Sequence, residues 1–386
     1  MNIRLNKTLK RTGKTLLTLA VVLAGLTFSA NSVQSSAEYN KGESPMEKIM
    51  GSPQFDGKRF KQQVPMKNPS FTEMMKDQFF GNEIRVPEQT LPQQYADLRP
   101  FFSTDNNQVN VTNARHSSLL INIDGYRIMT DPVFEAKITP VGPTRFNKEI
   151  SVNINDLRDI DVVVISHNHY DHLNKFSIQT LNPEVTRFLV PLGVGAQLEK
   201  WGVSRDKITE LDWWDEFSFN ADLTLVSTPS QHFSGRGLTD RNKTLWTSWT
   251  IMTANHRLYF SGDTGYFDGF KEIGAKYGPF DIAFMECGAY NDAWSTVHMF
   301  PEETIQGGID LNAQHIYPIH WGTFRLAMHD WFDPMVRARL AADSRGVSLL
   351  TPVFGQTLEY PDSLTTTDWW IPFLPEINEA LTEVAP

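Results

Sequence analysis

The chain has 386 residues, of which 40% are hydrophobic and 21% charged, and carries a formal net charge of −10. This length accommodates one large domain or two small ones, and the composition is that of an ordinary globular protein. The acidic balance argues against nucleic acid as a partner, because such binding depends on neutralising phosphates. A single cysteine, Cys287, excludes an intrachain disulfide.

In chain order, Arg4, Lys7, Lys10, Arg11 and Lys14 precede an uncharged apolar run from Leu16 to Phe28, followed by small residues. This pattern predicts a secretory signal over residues 1–37, and the run is short for a membrane span. Ser35, Ser36 and Ala37 predict cleavage after Ala37, with Ser29 as the alternative site and an uncleaved anchor as the weaker reading. Removal of the five positive charges takes the formal charge from −10 to about −15. The chain is thus expected to be exported to the periplasm or cell envelope.

Residues 38–105 are rich in Pro, Gln and Lys and have little periodicity, which predicts an extension wrapped around the core. One helix is expected from Phe71 to Phe80, with Ser70 as N-cap and Glu73 completing a capping box. Its Met74, Met75, Phe79 and Phe80 are read as packing residues, with contact to a lipid or membrane surface as the functional alternative. Residues 106–386 are expected to form the main domain. Leu119, Ile121 and Ile123, then Asp124-Gly125, then Tyr126–Met129 predict a hairpin with a type I′ turn. Asp161–Ile165 is a continuous β-branched run, the signature of a strand buried on both faces. Helices are expected at 175–181, 193–201, from Pro301, and from Asp333 to Ala342. Further strands are expected at 187–190, 223–226, 245–252, 257–260, 281–285 and 315–319. This alternation predicts a layered α/β sandwich with its site along strand ends.

The chemistry concentrates after the 161–165 strand, in Ser166-His167-Asn168-His169-Tyr170-Asp171-His172-Leu173. Three histidines and one aspartate within six residues are hard to explain as ordinary polar residues, since so many polar groups are costly to desolvate without partners. Imidazole and carboxylate are ligands that zinc accepts. Three more candidates follow apolar strands: His232 after 223–228, Asp263 in a glycine-flanked turn after 257–260, and His320 after 316–319. Alone, Asp263 reads as a turn residue and His232 as a polar loop residue; their shared arrangement favours one site. Seven ligands exceed what one zinc needs and suit two metals, with one carboxylate bridging them.

His167–Leu173, Gln231-His232 with Asn242–Trp246, Phe260–Tyr266 and Ile319–Phe324 together resemble the N-acyl-phosphatidylethanolamine-hydrolysing phospholipase D branch of the metallo-β-lactamase superfamily. Thr130-Asp131-Pro132 and Gly142–Phe146 belong to the same resemblance, which spans roughly Val109 to Phe324. It implies an αββα sandwich with two Zn2+ per chain. His167, His169 and His232 are implied on one zinc, Asp171, His172 and His320 on the other, and Asp263 between them. It also implies a substrate-facing histidine before an acidic helix start, here His298. In Ala114-Arg115-His116-Ser117 the chain departs from the family, which usually has glycine where Arg115 stands.

The expected function is that of an exported di-zinc phosphodiesterase of the phospholipase D type. Its substrate would be N-acyl-phosphatidylethanolamine, a related phospholipid or a small phosphodiester, attacked by a zinc-bound hydroxide. Asp171 is expected to orient the nucleophile and His298 to position the phosphate. Trp321 and Phe324, beside His320, are candidates for an acyl channel; Trp213, Trp214, Trp246 and Trp249 read mainly as core. Association with a membrane surface is compatible with this reading. The alternatives are a lactonase or other hydrolase of the fold, a redox enzyme with iron, and a non-catalytic envelope binding protein.

Overall fold

In a computed structural model, which describes residues 44–67, 82–139 and 142–374, the β-branched and aliphatic runs become strands of two sheets. In chain order these are β1 (Val109–Arg115), β2 (Ser118–Ile123), β3 (Tyr126–Thr130), β4 (Ile160–Val164), β5 (Val185–Pro191), β6 (Ile208–Leu211) and β7 (Glu216–Ser218). Then come β8 (Thr224–Thr228), β9 (Ser248–Met252), β10 (Arg257–Phe260), β11 (Phe280–Glu286), β12 (Ala313–Ile319), β13 (Ser348–Leu349) and β14 (Thr357–Tyr360). One sheet has the order β14-β1-β2-β3-β4-β5-β6, the other β13-β12-β11-β10-β9-β8-β7.

The continuous apolar strands follow from burial on both faces. In β4, Val162 and Val164 join Leu225, Trp249, Phe260 and Ile319 between the sheets. Val163, with Ile165 just beyond, packs outward against Ile178, Leu181 and Leu198. Those three belong to α2 (Lys175–Leu181) and α3 (Gly195–Lys200). On the outer face of the other sheet lie α4 (Gly269–Tyr277), α5 (Pro301–Asp310) and α6 (Asp333–Arg345), which supply Phe270, Ile273, Ile305, Met335 and Ala338. The result is the αββα sandwich expected from the sequence. Each fully buried aliphatic side chain contributes roughly 1.5–3 kcal/mol relative to exposure.

The β2–β3 turn has the predicted type I′ character, with Asp124 at φ 52° and Gly125 at φ 85°. Pro301 opens α5, and the Glu303 carboxylate accepts from the Phe300 N–H at 2.9 Å. A first helix that the sequence reading did not anticipate, α1 (Pro45–Gly51), is closed by a Ser44–Glu47 capping box. It buries no residue, so it has no apolar periodicity to read. The helix expected at Phe71–Phe80 and the leader expected at residues 1–37 lie outside the described residues.

Residues 44–67 and 82–105 run against the sandwich. Phe60 is buried among Leu192, Trp213, Leu245 and Trp246. Val64 exchanges two hydrogen bonds with the Gln231 side chain, its N–H donating at 3.0 Å and its carbonyl accepting at 2.6 Å. Leu91 pairs with the Asn147 side chain, and Gln93 bridges to Phe354. Among the described residues no helix is long and apolar enough to cross a membrane.

Candidate metal centre

Parallel pairing places the chemistry at one edge. β3, β4 and β5 run parallel, so Asp131 and the loop after β4 leave the sheet side by side. β10, β11 and β12 are also parallel, which brings Asp263, Glu286 and His320 to a common edge. β8 is antiparallel to β9, and β9 to β10, so β8 ends at that edge too and delivers His232.

The loop after β4 is built to hold its ligands. A helical turn, with the His172 and Leu173 N–H groups donating to the His169 carbonyl at 3.1 and 2.8 Å, folds Asp171 and His172 back toward His167. Arg236 clamps the turn from outside by donating to the carbonyls of Asn168 and Leu173, both at 2.8 Å, and lies 3.8 Å over the Tyr170 ring. Buried Asp131 accepts from the Ser166 N–H and Oγ at 2.7 and 2.5 Å, and pairs with His172 Nδ1 at 2.7 Å. Gly262, at φ 56°, makes the turn before Asp263; a Cβ there would stand 2.5 Å from Ser166 Cβ.

All seven expected ligands converge. His167, His169, His232 and Asp263 offer donor atoms within 4.8 Å of one another, as do His116, Asp171, His172 and His320. Asp263 lies between the groups, 3.1 Å from His172 Nε2, 3.2 Å from His320 Nε2, and 3.7 and 3.8 Å from His232 and His167. His116, which the sequence reading left without a role, reaches Asp171 Oδ2 at 3.1 Å. Asp131 and Glu286 were also unassigned. Glu286 is completely buried, accepts from the Thr264 N–H at 3.1 Å and pairs with His298 Nδ1.

The donor set fits metal. His172 gives Nδ1 to Asp131 and His232 gives Nδ1 to the Val297 carbonyl at 2.9 Å, so each presents Nε2 to the cluster. His172 Nε2, Asp263 Oδ1 and His320 Nε2 are buried without a hydrogen-bond partner among the described residues. Such orphaned atoms are costly unless a ligand engages them. The electrostatics agree. Burial and neighbouring histidines push His167 down, and burial holds His232 at about 3. Burial also disfavours charge on His320, but Asp263 and Asp171 outweigh it and lift this imidazole to about 10. Two carboxylates in a buried nest thus demand positive charge, which protons on His172 and His320 supply when no metal does.

The cluster floors a cavity of about 460 Å³. His169, Asp171, Asp263, His298 and His320 face it, and Met66, Phe233, Trp294, Val297 and Leu326 give it apolar walls. Trp321 and Phe324, the expected channel residues, stand elsewhere. Trp321 stacks on Trp369 at 5.1 Å in the outer core, Phe324 meets the His116 ring edge-on at 5.2 Å, and both border a small neighbouring crevice. Trp246 and Trp249 are fully buried core.

A description of the β-lactamase superfamily domain matches residues 126–321. The chain belongs to the metallo-β-lactamase superfamily. Within it, the chain is 45% identical over 262 residues to an uncharacterized protein of Mycobacterium tuberculosis, covering 66% of this chain and 70% of the other. It is 34% identical over 267 residues to an N-acyl-phosphatidylethanolamine-hydrolyzing phospholipase D of Caenorhabditis elegans, covering 64% and 74%. That relative supports the phospholipase D-like branch. Among solved structures, an isothiocyanate hydrolase from Delia radicum gut bacteria shares the fold, with a TM-score of 0.52 at 19% identity over 66% of this chain and all of that one.

Proposed function

We propose that this metallo-hydrolase is an exported di-zinc phosphodiesterase that removes the headgroup of N-acyl-phosphatidylethanolamine or a related phospholipid. The observation carrying this reading is the position of the two ligand groups, which share Asp263 at the floor of an apolar-walled cavity. His167, His169 and His232 would hold one metal, and Asp171, His172 and His320 the other, with His116 supporting Asp171. The metals would supply Lewis acidity and a low pKa for bound water.

The chain's own residues do the rest. Asp171 faces the cavity and orients the attacking water by accepting its hydrogen bond. His298, held by Glu286, donates toward a phosphoryl oxygen as charge grows on it. Phe233, Trp294, Val297 and Leu326 give the acyl portion an apolar wall. The cavity suits an amphiphile better than a small polar diester, because burying such walls against hydrocarbon removes apolar surface from water.

The test is incubation of purified zinc-loaded protein with a phospholipid panel and identification of the products. Phosphatidate plus a free headgroup alcohol is expected. Hydrolysis of lactones or amides with intact phospholipids would overturn the assignment. Export is tested separately, by the N-terminus of protein recovered from the cell envelope.

A further inference from the structure

We propose that Arg241 anchors a second anionic group of the substrate, one separate from the scissile phosphodiester. This rests on the phosphodiesterase reading and narrows its substrate class from N-acyl-phosphatidylethanolamine to a related phospholipid with a further anion. Arg241 is the one lysine or arginine among the described residues lining the cavity. Its guanidinium lies 4.8 Å over the Phe233 ring, and that ring lies 4.6 Å from His169 and 4.7 Å from His232. The cation therefore sits one aromatic ring away from the metal ligands, on the same cavity.

Among the described residues, nothing charged answers it. Its hydrogen-bond acceptor is the Met66 thioether, at 2.8 Å, and a thioether is a weak acceptor. No carboxylate lies within ion-pair distance of it among the described residues. The adjacent carboxylate of Asp240 is committed elsewhere, accepting from the Arg236 and Gly237 N–H groups at 2.9 and 2.8 Å. A half-buried guanidinium held by a ring and a sulfur retains most of its donors for an incoming ligand. The planar fork matches a carboxylate or a phosphate, and stacking on Phe233 fixes its plane before the ligand arrives.

The substrate class that satisfies both ends is a diester amphiphile with an additional anion. That anion is either a headgroup carboxylate or a second phosphate joined through a short linker. A zwitterionic ethanolamine headgroup satisfies the metals but leaves Arg241 without a partner.

The experiment uses the zinc-loaded protein and three water-soluble deacylated diesters: glycerophosphoserine, glycerol-bridged bis(glycerophosphate) and glycerophosphoethanolamine. Binding is measured by calorimetry, and hydrolysis of the corresponding lipids is followed in parallel. The protein should bind one of the two ligands that carry a second anionic group about tenfold or more tighter than the ethanolamine ligand, the usual value of a charge-assisted hydrogen bond. Whichever is preferred identifies the carboxylate or the phosphate as the natural anion. Arg241→Gln should abolish the preference, and Arg241→Lys should retain part of it with an unchanged melting temperature. Equal binding of all three ligands by the unaltered protein overturns the proposal, as does equal weakening of all three by Arg241→Gln. Arg241-dependent binding without any lipid hydrolysis would sink the phosphodiesterase reading and leave the anchor standing.

Discussion

A single proton on the Glu286–His298 pair decides what His298 can do. Burial and the charge of Asp263 push the Glu286 carboxyl well above its ordinary range, and burial holds His298 at about 4. A proton shared by the pair therefore belongs to Glu286, whose hydroxyl donates to Nδ1 of a neutral imidazole. The opposite nitrogen then carries hydrogen and is the donor that a phosphoryl oxygen requires. Glu286→Gln, whose amide also donates to Nδ1, should keep most turnover. Glu286→Ala and His298→Ala should each lose on the order of a hundredfold in kcat while retaining their zinc. Metal analysis beside steady-state kinetics checks this; zinc loss in His298→Ala would make it a ligand or a structural prop. The ligands themselves predict a pH dependence. Asp263 and Asp171 raise His320 to about 10 and His172 well above its ordinary value, so both rings favour a proton when no metal is bound. A metal bound there would displace those protons, so the affinity for zinc should rise with pH through the range below about 10. Titrations in buffers of different ionisation heat should show proton release; a flat pH profile would contradict the assignment.

At the scale of elements, the β1–β2 connection explains the departure from the family at Arg115. Arg115 has φ 134° and His116 φ 56°, a corner that glycine makes without steric cost and other residues do not. Arg115 occupies it fully buried, its guanidinium 4.5 Å over Phe354 and one amino group on Gln93. Arg115→Gly and Arg115→Ala lose the same guanidinium contacts and differ chiefly in backbone strain. The glycine variant should therefore be the more stable by about 1–2 kcal/mol, measured by denaturant unfolding. The loop after β4 was legible because its ligands are consecutive in the chain and follow a β-branched strand. His232, Asp263 and His320 were legible as a repeated pattern of strand followed by ligand. Asp131, within a segment of the family resemblance, and Glu286 carried no expected role, because a carboxylate at a strand end does not show which histidine it meets; the fold brings Asp131 to His172 and Glu286 to His298. The short strands β6, β7, β13 and β14 are set by neighbours rather than by pattern. α4 is different, since its Phe270, Ile273 and Tyr277 repeat at helical spacing and mark its buried face in the sequence.

At the scale of the molecule, the metal centre lies where the two sheets meet. His116, His167, His169, Asp171 and His172 come from the first sheet, whereas His232, Asp263 and His320 come from the second. Metals shared across Asp263 would therefore tie the two halves of the sandwich together. Without them, His172 Nε2 and His320 Nε2 meet Asp263 at 3.1 and 3.2 Å only as protonated rings, and two carboxylates depend on those protons for neutrality. Binding to the folded state alone stabilises it by about 4 kcal/mol at a thousandfold excess over Kd. Chelation should accordingly lower the melting temperature by several degrees, since a domain of 150–250 residues shifts about 2–4 °C per kcal/mol and a larger one somewhat less. Asp263→Asn should already melt low and respond little to chelator, because it weakens both metal sites at once. Calorimetric scans of both proteins with and without chelator make the comparison. Equal melting temperatures for the parent protein in the two conditions would mean that the sheets hold together without the metals, and that the centre serves chemistry alone.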